Sequence, residues 1–235
     1  MGRAFEFRRA RKEKRWDWMA KTFTKLGKEI SMSVKAGGPD PESNSRLRTA
    51  IQNAKGANMP KDRIEGAIKR ASDKGLKALE EVVYEGKGPY GIGIIVETAT
   101  DNPTRTVANL RMYFSRNSGE LAKTGSLDFI FDRKGSFKFP KGTINLEELE
   151  LELIDHGADE IFEMDEEIIV YTSFPDFGKM QKALEEKGIA VTSAELIRVP
   201  NIQTELSEEQ QKEVEELIDK LEQDEDVQNV FHNMK

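Results

Sequence analysis

Apolar positions recur at helical spacing through the first third of the chain and alternate at strand spacing afterwards. Between Trp16 and Ala36, residues Met19, Phe23, Leu26, Ile30 and Val34 fall on one side at 100° per residue, and Lys21, Lys25, Lys28 and Lys35 fall on the other. Gly37-Gly38-Pro39 ends this helix. A second helix is expected over Ser43–Lys55, with Leu47, Ala50, Ile51 and Ala54 spaced i, i+3, i+4, i+7. A third starts at Pro60 and repeats the spacing with Ile64, Ala67, Ile68 and Ala71. Three amphipathic helices with short connections predict a small helical bundle.

The texture changes near Leu79. Val82–Glu85 and Ile92–Thr98 read as strands joined by a Gly-rich turn, and Asn102-Pro103 opens a helix with Val107, Leu110 and Phe114 inward. Ser126–Asp132 is expected as an apolar strand. Next come a strand at Ser136–Phe139, a helix from Asn145 to His156, and a hairpin of Glu160–Met164 with Glu167–Thr172. A helix over Pro175–Lys187 and a strand over Ala190–Val199 complete the order βαββαβ, the ferredoxin-like unit. Ser207-Glu208-Glu209-Gln210 fits a capping box for a last helix with Val214, Leu217, Ile218 and Leu221 inward, and Val227–Phe231 reads as a final strand. One helix and one strand make no domain, so they are expected to return to the sheet begun at Val82. The fold class is therefore α+β and multidomain. The expected parts are a basic arm at 1–15, a helical bundle at 16–78, a discontinuous α/β domain at 79–133 plus 203–235, and a ferredoxin-like domain at 134–202.

Charge sharpens this division. The chain carries 36 basic and 43 acidic residues in 235, yet residues 1–76 hold 19 basic against 9 acidic and residues 77–235 hold 17 against 34. A compact cationic module attracts polyphosphate, and an acidic body is kept off it. The expected nucleic-acid contacts are Arg8, Arg9, Arg11, Lys12, Lys14 and Arg15 on the arm and Lys21, Lys25 and Lys28 on the first helix. Arg46, Arg48 and Lys55, then Lys61, Arg63, Lys69 and Arg70, extend the set over the next two helices. Such contacts go mainly to phosphates and carry no sequence information. Trp16 and Trp18 are candidates for stacking on exposed bases.

Other chemistry finds little support. Residues 86–91 spell G-x-G-x-x-G, but Pro89 interrupts them and strand-like Ile92–Val96 follows where a phosphate-binding helix is needed, so a hairpin turn is the reading. His156 and His232 fall in different expected domains without a ligand cluster, which leaves capping or surface placement. No P-loop, nucleophile elbow or zincin motif is present, and there is no Cys, so neither an enzyme nor a metal or other cofactor is expected. The cysteine-free composition suits a reducing cytoplasm. No apolar run approaches the ~20 residues of a membrane span, and the N-terminal segment lacks the apolar stretch of a secretory signal.

Several stretches together resemble one family. They include Phe23-Thr24-Lys25-Leu26, Ala36-Gly37-Gly38-Pro39-Asp40-Pro41, Asn44-Ser45-Arg46-Leu47-Arg48 and Ala57-Asn58-Met59-Pro60-Lys61-Asp62. They continue through Tyr84-Glu85-Gly86, Thr100-Asp101-Asn102, Arg105-Thr106, Gly125-Ser126 and Phe131-Asp132-Arg133-Lys134-Gly135. The chain is similar to the YebC family of probable transcriptional regulators, which has a mitochondrial relative that activates translation of a cytochrome oxidase subunit. The resemblance implies three domains, the middle one discontinuous, with nucleic-acid binding and no cofactor. It also implies two alternative roles: DNA-binding regulation of transcription, or binding to ribosomal RNA to ease elongation through difficult peptide sequences. The chain departs from the family at its start. Gly2-Arg3-Ala4-Phe5-Glu6-Phe7 replaces a Gly-His-Ser-Lys-Trp type segment, so the family His and Ser are absent.

Overall fold

The computed structural model describes residues 3–73, 75, 77–142 and 144–235, with side chains from residue 19 onward. Two compact units divide it, Met1–Ala78 and Leu79–Lys235. The first holds α1 (Arg3–Gly37), α2 (Ser45–Gly56) and α3 (Lys61–Ala71). Ile30, Val34, Leu47, Ala50, Ala54, Ile64, Ala67 and Ala71 form one buried cluster, with Phe23 and Leu26 against its edge. Small alanines on α2 and α3 let the helices approach closely. The first helix departs from the sequence expectation: it runs unbroken from Arg3 instead of starting at Trp16.

The second unit carries two four-stranded antiparallel sheets. β1 (Glu80–Lys87), β2 (Gly93–Thr100), α4 (Pro103–Arg116) and β3 (Glu120–Leu121) come first. Then follow β4 (Phe131–Pro140), α5 (Leu146–Ile154), β5 (Ala158–Met164), β6 (Glu167–Ser173), α6 (Phe177–Glu186) and β7 (Ser193–Pro200). α7 (Glu208–Glu222) and β8 (Val227–His232) end the chain. The first sheet has the order β3-β1-β2-β8, so the last strand pairs with β2 across more than a hundred residues of sequence, Ile95 opposite Phe231. Ile94, Val96, Leu110, Phe114, Val214, Leu217 and Leu221 pack α4 and α7 on one face of that sheet. The second sheet has the ferredoxin-like order β5-β6-β4-β7, with Phe137, Phe139, Leu153, Ile168, Val170, Met180 and Leu184 as its core. The G-x-G-x-x-G segment is the turn of the β1–β2 hairpin, with Gly88 N donating to Ile92 O at 2.8 Å.

The expected strand over Ser126–Asp132 is not formed; residues 124–130 are turns and bends, and the strand starts at Phe131. Glu85 causes this. Its buried carboxylate accepts from Gly125 N at 2.6 Å, Leu127 N at 2.7 Å and Ser126 Oγ at 3.1 Å, which wraps the segment into a turn. The apolar residues read as a strand instead form a plug. Leu127 and Phe131 pack with Ile95, with Val83 and Phe231 alongside.

Candidate nucleic-acid interface

The connection between α1 and α2 fixes the cationic helices of the bundle. Asn44 is buried there and serves three groups at once. Its Nδ2 donates to Ser33 O at 2.7 Å and Gly38 O at 2.8 Å, and its Oδ1 accepts from Leu47 N at 3.1 Å as the N-cap of α2. A Cβ on Gly37 would stand 2.8 Å from that amide, so only glycine fits. Gly38, at φ +89°, lets the chain leave α1 in the left-handed region. Arg48 Nη1 reaches Pro41 O at 3.4 Å across the same turn. At the other connection Asn58 takes φ +59° and Met59 N donates to Ala54 O at 2.9 Å, which turns the chain into α3.

The cations expected from sequence divide into three groups. Lys21, Lys25 and Lys28 share one face of α1, away from Phe23, Leu26 and Ile30. Arg46 joins that face from α2, because its Nε lies 3.1 Å from Glu29, one turn after Lys25. Lys55, Lys69 and Arg70 are exposed near the ends of α2 and α3, where cations suit the helix dipole. Lys61 is exposed with Glu65 at 3.6 Å, a surface pair that contributes little. Arg63 lies apart from the lysine face, its guanidinium 5.7 Å from the Phe23 ring centroid. Lys35 also has a different task, donating to Asp73 O at 2.7 Å and closing the bundle. The side chains of Arg8, Arg9, Arg11, Lys12, Lys14, Arg15, Trp16 and Trp18 lie outside the described residues.

Cations in the second unit are treated differently. Arg105 donates to Asp226 Oδ2 at 2.6 Å and Asp101 at 3.0 Å, and the bond to Asp226 holds its pKa above the ordinary value. Thr100 and Thr106 hydroxyls lie 3.2 and 2.9 Å from the same buried carboxylate oxygen. Asn102 caps α4 by accepting from Arg105 N at 3.1 Å. This knot ties α4 and the end of β2 to the chain just before β8. Sequence reading grouped these residues as a motif without seeing their partner, because Asp226 lies 120 positions beyond Thr106. Arg198 pairs with Glu97 at 3.0 Å, and Lys134 with Glu160 at 2.8 Å. His156 sits in the turn after α5. His232 is half-buried in β8 instead of on the surface; burial lowers its pKa, and its Nδ1 has no hydrogen-bond partner among the described residues. No group of three or more His, Cys, Asp or Glu residues able to hold a metal occurs among the described residues, and no helix among them is long and apolar enough to cross a membrane.

Comparison with known proteins agrees with this division. Residues 3–74 match the TACO1/YebC protein N-terminal domain, and residues 79–234 match the TACO1/YebC second and third domain. The chain belongs to the TACO1/YebC family. Among its relatives, a "Probable transcriptional regulatory protein" of Cytophaga hutchinsonii is 60% identical over 234 residues, covering 100% of this chain and 98% of that protein. One of the same description from Parabacteroides distasonis is 56% identical over 236 residues, covering 100% and 97%. The crystal structure of a conserved hypothetical protein from Aquifex aeolicus superposes with a TM-score of 0.80 at 36% identity over 92% of this chain and 90% of that one.

Proposed function

We propose that this member of a family of transcriptional regulators acts by binding nucleic acid through its helical unit. The observation that carries the reading is the face of α1 with Lys21, Lys25 and Lys28, extended by Arg46 from α2. Lys55, Lys61, Lys69 and Arg70 provide peripheral attraction, and Arg48 and Arg63 hold the scaffold at Pro41 and Phe23 while adding charge. Arg8, Arg9, Arg11, Lys12, Lys14 and Arg15 lengthen the cationic surface, and Trp16 and Trp18 stack on exposed bases. The acidic unit repels phosphate and so orients the protein on its target. Functionally the chain divides into the bundle with its basic start, a domain of 79–133 plus 203–235, and a ferredoxin-like domain of 134–202. It works in the cytoplasm, without a cofactor and without catalysis.

Two targets fit a phosphate-reading surface. The names of the relatives support DNA at promoters. The dominance of phosphate-directed lysines on the α1 face supports structured ribosomal RNA, which is recognised largely by shape and backbone contacts. Co-sedimentation with ribosomes across a salt series, with random-sequence duplex DNA as competitor, decides between them. Saturable binding that survives excess DNA identifies a translation factor. Free displacement by DNA identifies generic affinity for polyanions on the ribosome and returns the DNA reading. Absence of binding to either polymer at low salt sinks both.

A further inference from the structure

A cleft of about 390 Å³ opens in the acidic unit between α4 and the segment that follows it. Val107, Arg111 and Ser115, at i, i+4 and i+8, line it from one stripe of α4, and Tyr84, Leu121 and Thr124 line it from β1, β3 and the next turn. Three of its polar side chains, Arg111, Ser115 and Thr124, are exposed and unengaged among the described residues. Arg111 makes no hydrogen bond or ion pair among the described residues, whereas Arg105, Arg133 and Arg198 of the same unit are engaged with Asp226, Phe174 and Glu97. The Ser115 hydroxyl is also unengaged. Hydroxyls on the bundle helices commonly fold back on the carbonyl four residues earlier, as Thr24, Ser33 and Ser72 do at 2.8–2.9 Å. Thr124 Oγ1 has no partner either.

The two carboxylates on the cleft wall do not satisfy Arg111. Glu85 spends both oxygens on Gly125 N, Leu127 N and Ser126 Oγ, and Glu120 lies beyond ion-pair distance. An unpaired arginine flanked by two free hydroxyls is a receptor for an oxyanion, because the guanidinium fork matches phosphate and each hydroxyl can donate. Tyr84, Val107 and Leu121 supply a wall for a flat apolar group. Glu120 can accept from a ligand donor and disfavours a bare phosphate. The volume falls in the range of small-molecule sites.

We infer that the Arg111 cleft binds a nucleotide unit, with its phosphate on Arg111, Ser115 and Thr124, its ring against Tyr84, Val107 and Leu121, and a donor group on Glu120. The unit is either a free nucleotide or one residue of a bound nucleic acid; only the second source rests on the function proposed above. The test is titration of the full-length, isotope-labelled protein with AMP, a ten-nucleotide single-stranded RNA and inorganic phosphate, followed by amide shifts. Shifts at Val107–Thr124 with AMP identify a free-nucleotide site. Shifts there only with RNA identify a subsite of a nucleic-acid interface. In either case Arg111→Gln weakens binding at the cleft tenfold or more with an unchanged melting midpoint, since Arg111 holds nothing in the fold. Equal affinity for AMP and inorganic phosphate, or undiminished binding by the variant, overturns the assignment, as does silence of these amides with every probe. Failure of the helical unit to bind is read separately, at the amides of α1 and α2.

Discussion

The two units use the same residue types to opposite ends. In the helical unit the core is small and aliphatic, and Lys21, Lys55, Lys69 and Arg70 have no partner among the described residues. In the second unit Arg105, Lys134, Lys141, Arg198 and Lys235 are all held by carboxylates. Buried acids there, Glu85 and Asp226, fasten segments that are distant in sequence. Charge that is tied internally stabilises a fold, and charge left untied is available to a partner.

The contrast breaks most visibly if the end of the chain is removed. Val214, Leu217, Leu221 and Val227 are fully buried in the core of the first sheet. Truncation after Pro200 should abolish cooperative unfolding of the second unit while the bundle keeps its helical signal. A truncated chain that melts as sharply as the full one would contradict the account. Next in size, Glu85→Ala leaves three donors without their acceptor and should cost about 3 kcal/mol in chemical denaturation of the second unit, with nucleic-acid affinity unchanged. Asn44→Ala is the counterpart in the bundle. Loss of the cap and of two buried carbonyl contacts should lower its stability by about 2 kcal/mol, and loss below a few tenths would show that the turn is held by other means.

The smallest effect concerns pH. Burial lowers the folded-state pKa of His232 below its ordinary 6.5. The unfolded chain therefore takes up this proton first, so the contribution of neutral His232 is complete above about pH 6.5 and declines as pH falls below it. His232→Gln should flatten the fall in melting midpoint between about pH 7 and pH 5. An unchanged slope would assign that fall to other groups.

The elements themselves were legible because their patterns are local. The i, i+3, i+4, i+7 spacing of Leu47, Ala50, Ile51 and Ala54 marks α2, and Ser207 with Gln210 marks a capping box that is present in full. Legibility failed where a distant polar group decides. Leu127-Asp128-Phe129-Ile130-Phe131 has strand composition, and only the carboxylate of Glu85, some forty residues earlier, turns it into a plug. Family-like stretches invite a functional interpretation, yet Asn44, Glu85, Asn102 and Arg105 act as internal fasteners. Arg111 is the converse case. Nothing in the spacing of α4 distinguishes it from Arg105, and its place on the cleft wall without a partner among the described residues becomes visible only in the fold.

The central claim is that the lysine face of α1 binds phosphate. Its most direct test is the salt dependence of affinity for duplex RNA and DNA, measured for the full-length protein and for the Lys21→Glu, Lys25→Glu, Lys28→Glu variant, with helicity monitored in parallel. The account predicts a steep fall of affinity with salt for the native protein, and for the variant a large loss at low salt with a log–log slope smaller by about 2–3. Equal affinity and equal slope in a folded variant would place the binding surface elsewhere.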